Sequence, residues 1–104
     1  MRQLTEKEQQ IFEDLGWKIE ENDECFDISN YSPAGEDLCE AIWDDKSIVE
    51  NLQAIVDDFD PEEHAYMWYN MRACGQPTSL RELLKDADAI KEMYETLLQK
   101  FKEV

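Results

Sequence analysis

The sequence predicts an α+β domain: one N-terminal helix, a three-stranded antiparallel meander, then three helices of which the last is long. Three observations carry that expectation. Four segments begin with a helix-capping signature, residues 17–43 alternate in polarity between turn signals, and the C-terminal quarter repeats apolar residues in steps of three and four.

The capping signatures are Thr5…Glu8, Ser47…Glu50, Asp60…Glu63 and Ser79…Glu82. In each, the cap oxygen and an acid three residues on satisfy each other's orphan amides. The first helix is expected over about 5–15, with Ile11, Phe12 and Leu15 as its apolar stripe and Gly16 as its stop. Trp17-Lys18-Ile19-Glu20 and Phe26-Asp27-Ile28-Ser29 alternate on either side of the polar turn Asn22-Asp23-Glu24. Tyr31-Ser32-Pro33-Ala34-Gly35 is a second turn signal. A third strand follows over Leu38–Trp43, where Cys39, Ala41 and Trp43 share a face if the chain is extended; Glu36–Trp43 also reads as a helix start. The second helix, about 48–59, has Ile48, Leu52, Ile55, Val56 and Phe59 at helical spacing. The third, about 61–74, opens with Pro61 at the favoured first position and ends at Gly75. The fourth starts after Pro77 and runs to about 103. Its Leu80, Leu83, Ala87, Ile90, Tyr94, Leu97 and Phe101 form a heptad seam, which fits either a helix packed on its own domain or one pairing with a second copy. The three later helices are expected on one face of the sheet.

At 104 residues the chain has the length of one domain. No apolar run approaches the ~20 residues of a membrane span, and MRQLTEKEQQ lacks the apolar region of a secretory signal. Cys25, Cys39 and Cys74 fit no metal or redox spacing and read as reduced, buried thiols of a cytoplasmic protein.

Charge is the unusual quantity. There are 26 acids and 10 lysines and arginines, a formal net charge of −16. Residues 1–63 hold 20 acids and four cations, whereas residues 64–104 hold six of each, so the whole imbalance lies in the first three-fifths. Direct nucleic-acid binding and anionic membranes are disfavoured, because phosphate contacts need Lys and Arg. A basic protein surface is attracted. The expected partner-facing residues are Glu20, Glu21, Asp23, Glu24, Glu36, Asp37, Asp44, Asp45, Asp57, Asp58, Glu62 and Glu63.

Signatures of chemistry are thin. The only histidine, His64, has no spacing that selects Cys25, Cys39 or Cys74 as a nucleophile. The run Asp57-Asp58-Phe59-Asp60-Pro61-Glu62-Glu63 lacks the glycine of a calcium loop, and helix capping accounts for Asp60 and Glu63. Phosphate-binding and nucleophile-elbow motifs are absent. No cofactor, no metal and no catalysis are expected.

The segments Asn30-Tyr31-Ser32-Pro33-Ala34-Gly35-Glu36-Asp37, Asp58-Phe59-Asp60-Pro61-Glu62-Glu63-His64 and Ser79-Leu80-Arg81-Glu82-Leu83-Leu84-Lys85-Asp86-Ala87 resemble small acidic proteins of bacterial mobile elements. With its size and charge, the chain is similar to anti-CRISPR proteins that inhibit the RNA-guided nuclease of type II systems, over roughly residues 17–98. The resemblance implies a non-enzymatic inhibitor in the cytoplasm of a bacterial host, blocking guide RNA or DNA engagement. It carries over no functional residue. The alternative from the residues alone is a dimerising adaptor or regulatory protein using the C-terminal seam, so the chain is expected as a monomer or homodimer.

Overall fold

The computed structural model describes residues 3–71 and 79–104. Its elements run α1 (Glu6–Asp14), β1 (Lys18–Glu21), β2 (Cys25–Tyr31), β3 (Asp37–Trp43), α2 (Ile48–Asp58), α3 (Pro61–Met71) and α4 (Leu80–Lys102). The expected end of the third helix near Gly75 and Cys74 lie outside the described residues, whereas the fourth helix starts after Pro77 as expected, at Leu80 behind the Ser79 cap.

Each cap marks the helix start the sequence implies, but the reciprocal box expected at all four is seen at two, and at Asp60 and Ser79 only the cap-oxygen half is seen. Thr5 and Ser47 complete both halves of their capping boxes. Asp60 Oδ1 accepts the Glu62 amide at 3.0 Å, and Ser79 Oγ accepts the Glu82 amide at 3.3 Å. At the other end of α1, Gly16 takes φ +86°. The Gly16 amide reaches Glu13 C=O at 3.0 Å and the Trp17 amide reaches Phe12 C=O at 2.9 Å, a Schellman stop that needs the left-handed residue.

The sheet is an antiparallel meander in the order β1-β2-β3, so residues 36–43 form strand rather than helix. Its register pairs Ile19 with Ile28 and Phe26 with Ile42. Those residues, with Leu38, face the core. Cys39, Ala41 and Trp43 do share a face, but it is the opposite one: side chains alternate, and Leu38, Glu40 and Ile42 take the inner parity. Cys39 is therefore exposed, correcting the expectation that the thiols are buried, while Cys25 is buried.

Phe12 of α1, Ile48, Leu52 and Val56 of α2, and Ile90, Tyr94, Leu97, Leu98 and Phe101 of α4 close over the inner sheet face. Phe12 meets Phe26 edge-on at 5.9 Å and Phe101 at 4.8 Å; Tyr94 stacks on Trp17 at 5.8 Å. The expectation that all three later helices cover the sheet is corrected for α3. Its Ala65 packs instead with Leu83 and Ala87 on the first half of α4, in a second small core.

The heptad seam is spent in these two cores. Leu83, Ala87, Ile90, Tyr94, Leu97 and Phe101 are all buried. It faces the rest of its own chain, so the surface assumed by the dimerising alternative is occupied. Among the described residues, no helix is long and apolar enough to cross a membrane.

Candidate functional site

The acids gather where two turns meet. Asn22 N–H donates to Cys25 C=O at 2.9 Å, closing the β1–β2 turn, and Asn22 Nδ2 donates to Asp27 at 2.8 Å. The sheet ladder continues one rung beyond β3, with the Asp44 amide on Glu24 C=O at 3.1 Å. That rung brings the β1–β2 turn beside the β3–α2 turn. Asp23, Glu24, Asp44 and Asp45 consequently line one depression of about 360 Å³ together with Trp43.

Trp43 is also a wall of the next depression, about 340 Å³, which lies between β3 and α2 and includes Glu40, Ala41, Lys46, Ile55, Asp58 and Phe59. Asn51, which also lines this space, ties β3 to the start of α2. Its Oδ1 accepts the Trp43 amide at 2.9 Å, and its Nδ2 donates to Trp43 C=O at 3.1 Å and Ser47 C=O at 2.9 Å. Asp58 and Phe59 in turn join this space to a third depression of about 190 Å³, completed by Asp60, Glu63, His64 and Met67. Lys91 from α4 holds that junction: its ammonium donates to Val56 C=O and, at 2.9 Å, to Phe59 C=O, placing a cation at the C-terminus of α2.

The three depressions thus share walls and follow the outer edge of β3. Eight carboxylates line them against one cation, Lys46. Trp43 is 47% exposed at their junction and Met67 is 47% exposed at the far end, adding apolar contact area to an acidic groove.

Of the expected partner-facing residues, Asp23, Glu24, Asp44, Asp45, Asp58 and Glu63 are in this groove. Glu62 is exposed beside it on the first turn of α3. Glu20 and Asp37 lie on the outward sheet face, Glu21 is exposed at the end of β1, and Asp57 accepts a bond from Gln53 on α2. Glu36 is a correction. It is 6% exposed, its carboxylate oxygens lie 2.8 and 2.9 Å from His64 Nε2, and Trp68 Nε1 lies 3.1 Å from the same nitrogen. A buried carboxylate needs such a partner, and the pair ties α3 to the entrance of β3 rather than meeting solvent. Sequence reasoning left Glu40 and Trp43 out of the set, and counted Asp60 among the acids of this surface without naming it as partner-facing. The alternation that puts Trp43 outward was visible, but which parity faced the core was not.

The negative surroundings register in the titrating groups. Although Cys39 is exposed, desolvation against the sheet pushes its thiol up, and the neighbouring carboxylates Asp27, Asp37, Glu40 and Glu20 push it further. Such a thiol stays protonated and is a poor nucleophile. Burial also raises the Glu40 carboxyl, opposed by the hydrogen bond from Tyr94 Oη at 3.1 Å. The Tyr94 phenol is raised in turn by burial and then by Glu40. Among the described residues, no three His, Cys, Asp or Glu side chains are placed to hold a metal ion. No match to this chain is found among protein families, curated proteins or solved structures.

Proposed function

We propose that this protein is a non-enzymatic inhibitor whose acidic groove occupies a basic, nucleic-acid-binding surface of another protein. The observation that carries the reading is the continuity of the groove: eight carboxylates from both turns, β3 and the α2–α3 junction along one edge. A duplex offers a cationic cleft one charge per ~1.7 Å of axis, and a lined groove offers the same cleft a fixed row of anions. Clustered charge of one sign steers encounter and raises association rates by ~10 to 10³ at low salt. A cleft filled this way is closed to its nucleic acid.

With the resemblance of residues 17–98 to type II anti-CRISPR proteins, we propose as partner the RNA-guided nuclease of a bacterial cytoplasm and, as the blocked step, guide RNA or DNA engagement. The test is capture of the nuclease, apo and guide-loaded, at about 0.15 M and about 0.5 M salt, between which the Debye length falls from about 8 Å to about 4 Å. Binding that weakens steeply with salt and is lost on guide loading supports the reading. Salt-insensitive binding, or none to either form, overturns it.

A further inference from the structure

We propose that the open edge of β3 takes an extended, lysine- or arginine-bearing segment of the partner as a fourth strand. This rests on the acidic-groove reading and adds to it how the partner is held.

The Ser32 amide bonds Glu36 C=O at 2.9 Å and the Asp44 amide bonds Glu24 C=O at 3.1 Å, so both of these opposed pairs are hydrogen-bonded. Bonded and non-bonded pairs alternate along antiparallel strands. In the observed register the bonded pairs between them are Asn30–Leu38, Ile28–Glu40 and Phe26–Ile42. The amides and carbonyls of Asp37, Cys39, Ala41 and Trp43 therefore point away from β2, out of the sheet edge.

At Trp43 both outward groups are taken by Asn51, which is a stop: a fourth strand cannot pair there. Asp37 and Cys39 are exposed and Ala41 is half-buried, and among the described residues no hydrogen bond is made to their outward groups. An edge of this kind is a template for another strand, and natural sheets usually block it with lysines or cover it. Here the flanking charge is acidic, with Asp37 on the edge itself and Glu40 and Asp58 lining the space of about 340 Å³ between β3 and α2.

That charge selects the occupant. A second copy would bring its own −16 to the same edge, whereas a basic strand brings the opposite sign. Main-chain bonds would supply affinity, and alternate side chains would reach the groove and the outward sheet face. The Asn51 stop confines pairing to the five positions 37–41.

The test uses the full chain, isotopically labelled, with the capped hexapeptide Lys-Val-Lys-Val-Lys-Val as the probe. Two further peptides carry N-methyl groups on alternate residues, one on each parity, which removes donors from one edge and leaves charge unchanged. Expected is slowed amide exchange at Asp37, Cys39 and Ala41 on binding, with one methylated peptide weakened by roughly 10-fold or more and the other unaffected, as loss of two or so backbone bonds predicts. Cys39→Pro removes an outward amide while leaving the bonded amides of residues 38, 40 and 42, so it should fold and bind less tightly. Equal, salt-sensitive binding of all three peptides without amide protection overturns strand addition and leaves the acidic-groove reading standing. No binding of any peptide overturns both. Protection of the same amides that grows with protein concentration and needs no peptide assigns the edge to a second copy and overturns the proposal.

Discussion

Asn51 is the side chain on which the groove's geometry depends most, and Asn51→Leu measures it. The residue is 5% exposed on the first turns of α2. It makes three hydrogen bonds of 3.1 Å or less: one from the Trp43 amide, one to Trp43 C=O and one to Ser47 C=O. Leucine keeps the volume and removes all three. At about 1 kcal/mol net for each neutral bond, the loss is about 3 kcal/mol. Leucine's better helix propensity and its apolar surface return about 0.5 to 1 kcal/mol. The expected net destabilisation is about 2 kcal/mol. Unfolding entropy of about 2.1 cal/mol/K for each residue converts that into a Tm lowered by roughly 10 °C. Calorimetry at neutral pH reads the shift, and amide exchange at Trp43 should accelerate with it. Gln53→Leu is the control, because the Gln53 Nε2 bond to Asp57 at 2.9 Å is exposed and worth only a few tenths of a kcal/mol. A Tm drop of under about 3 °C for Asn51→Leu, or equal drops in the two variants, would refute the claim that Asn51 anchors the edge of β3 to α2.

Three further outcomes follow from the same geometry. Leu97→Ala empties a site that is fully buried against the sheet and should cost about 2 to 5 kcal/mol in chemical denaturation, whereas exposed Glu95→Ala should stay within about 0.5 kcal/mol. Burial raises the Glu40 carboxyl above its ordinary value near 4.5, so the folded chain holds that proton more tightly than the unfolded one and stability falls as pH rises through this window. Glu40→Gln, which still accepts from Tyr94, should therefore raise Tm at about pH 7 and lose its advantage at about pH 4, as a melting series across pH will show. Asp44→Lys with Asp45→Lys should slow association with a cationic partner by roughly 10-fold in stopped flow, and Glu92→Lys with Glu95→Lys on the solvent side of α4 should slow it much less.

Helix positions were legible because their signals are local. A cap oxygen, an acid three residues on and an apolar stripe all lie within two turns, so Thr5, Ser47, Asp60 and Ser79 each mark a start that tertiary contacts do not move. The third strand was readable as extended but not as oriented. Both parities of residues 37–43 carry apolar groups, Leu38 and Ile42 on one and Cys39, Ala41 and Trp43 on the other, and only packing against α2 and α4 decides between them. Glu40 follows from that choice: it takes the inner parity and is tolerated there because Tyr94, 54 residues on, donates to it. Glu36 was illegible for a related reason. An acid after a turn glycine looks solvated, and its burial depends on His64, 28 residues away. The site was half legible. The charge partition marks which part of the chain is acidic, but bringing Asp23 and Glu24 beside Asp44 and Asp45 needs the extra rung between Glu24 and Asp44.

The groove also has a consequence for the free protein. The supports of this edge are neutral hydrogen bonds from Asn51 and a single lysine, Lys91, placed behind the α2–α3 junction rather than among the acids. Lys46 is the one lysine lining the groove against eight carboxylates, so their mutual repulsion is offset only in part and the fold bears the remainder. Repulsion between exposed charges is screened over a Debye length that shrinks from about 30 Å at 0.01 M salt to about 10 Å at 0.1 M, a range in which neighbouring groove acids lose most of their longer-range interactions. Sodium chloride should accordingly raise Tm of the free chain over this range, while the same salt weakens its complexes with a cationic partner. The opposing signs make the pair of measurements decisive. If salt lowered Tm, the carboxylates would have to be engaged in favourable ion pairs within the chain, and a surface whose charges are already satisfied at home has little to offer a basic partner.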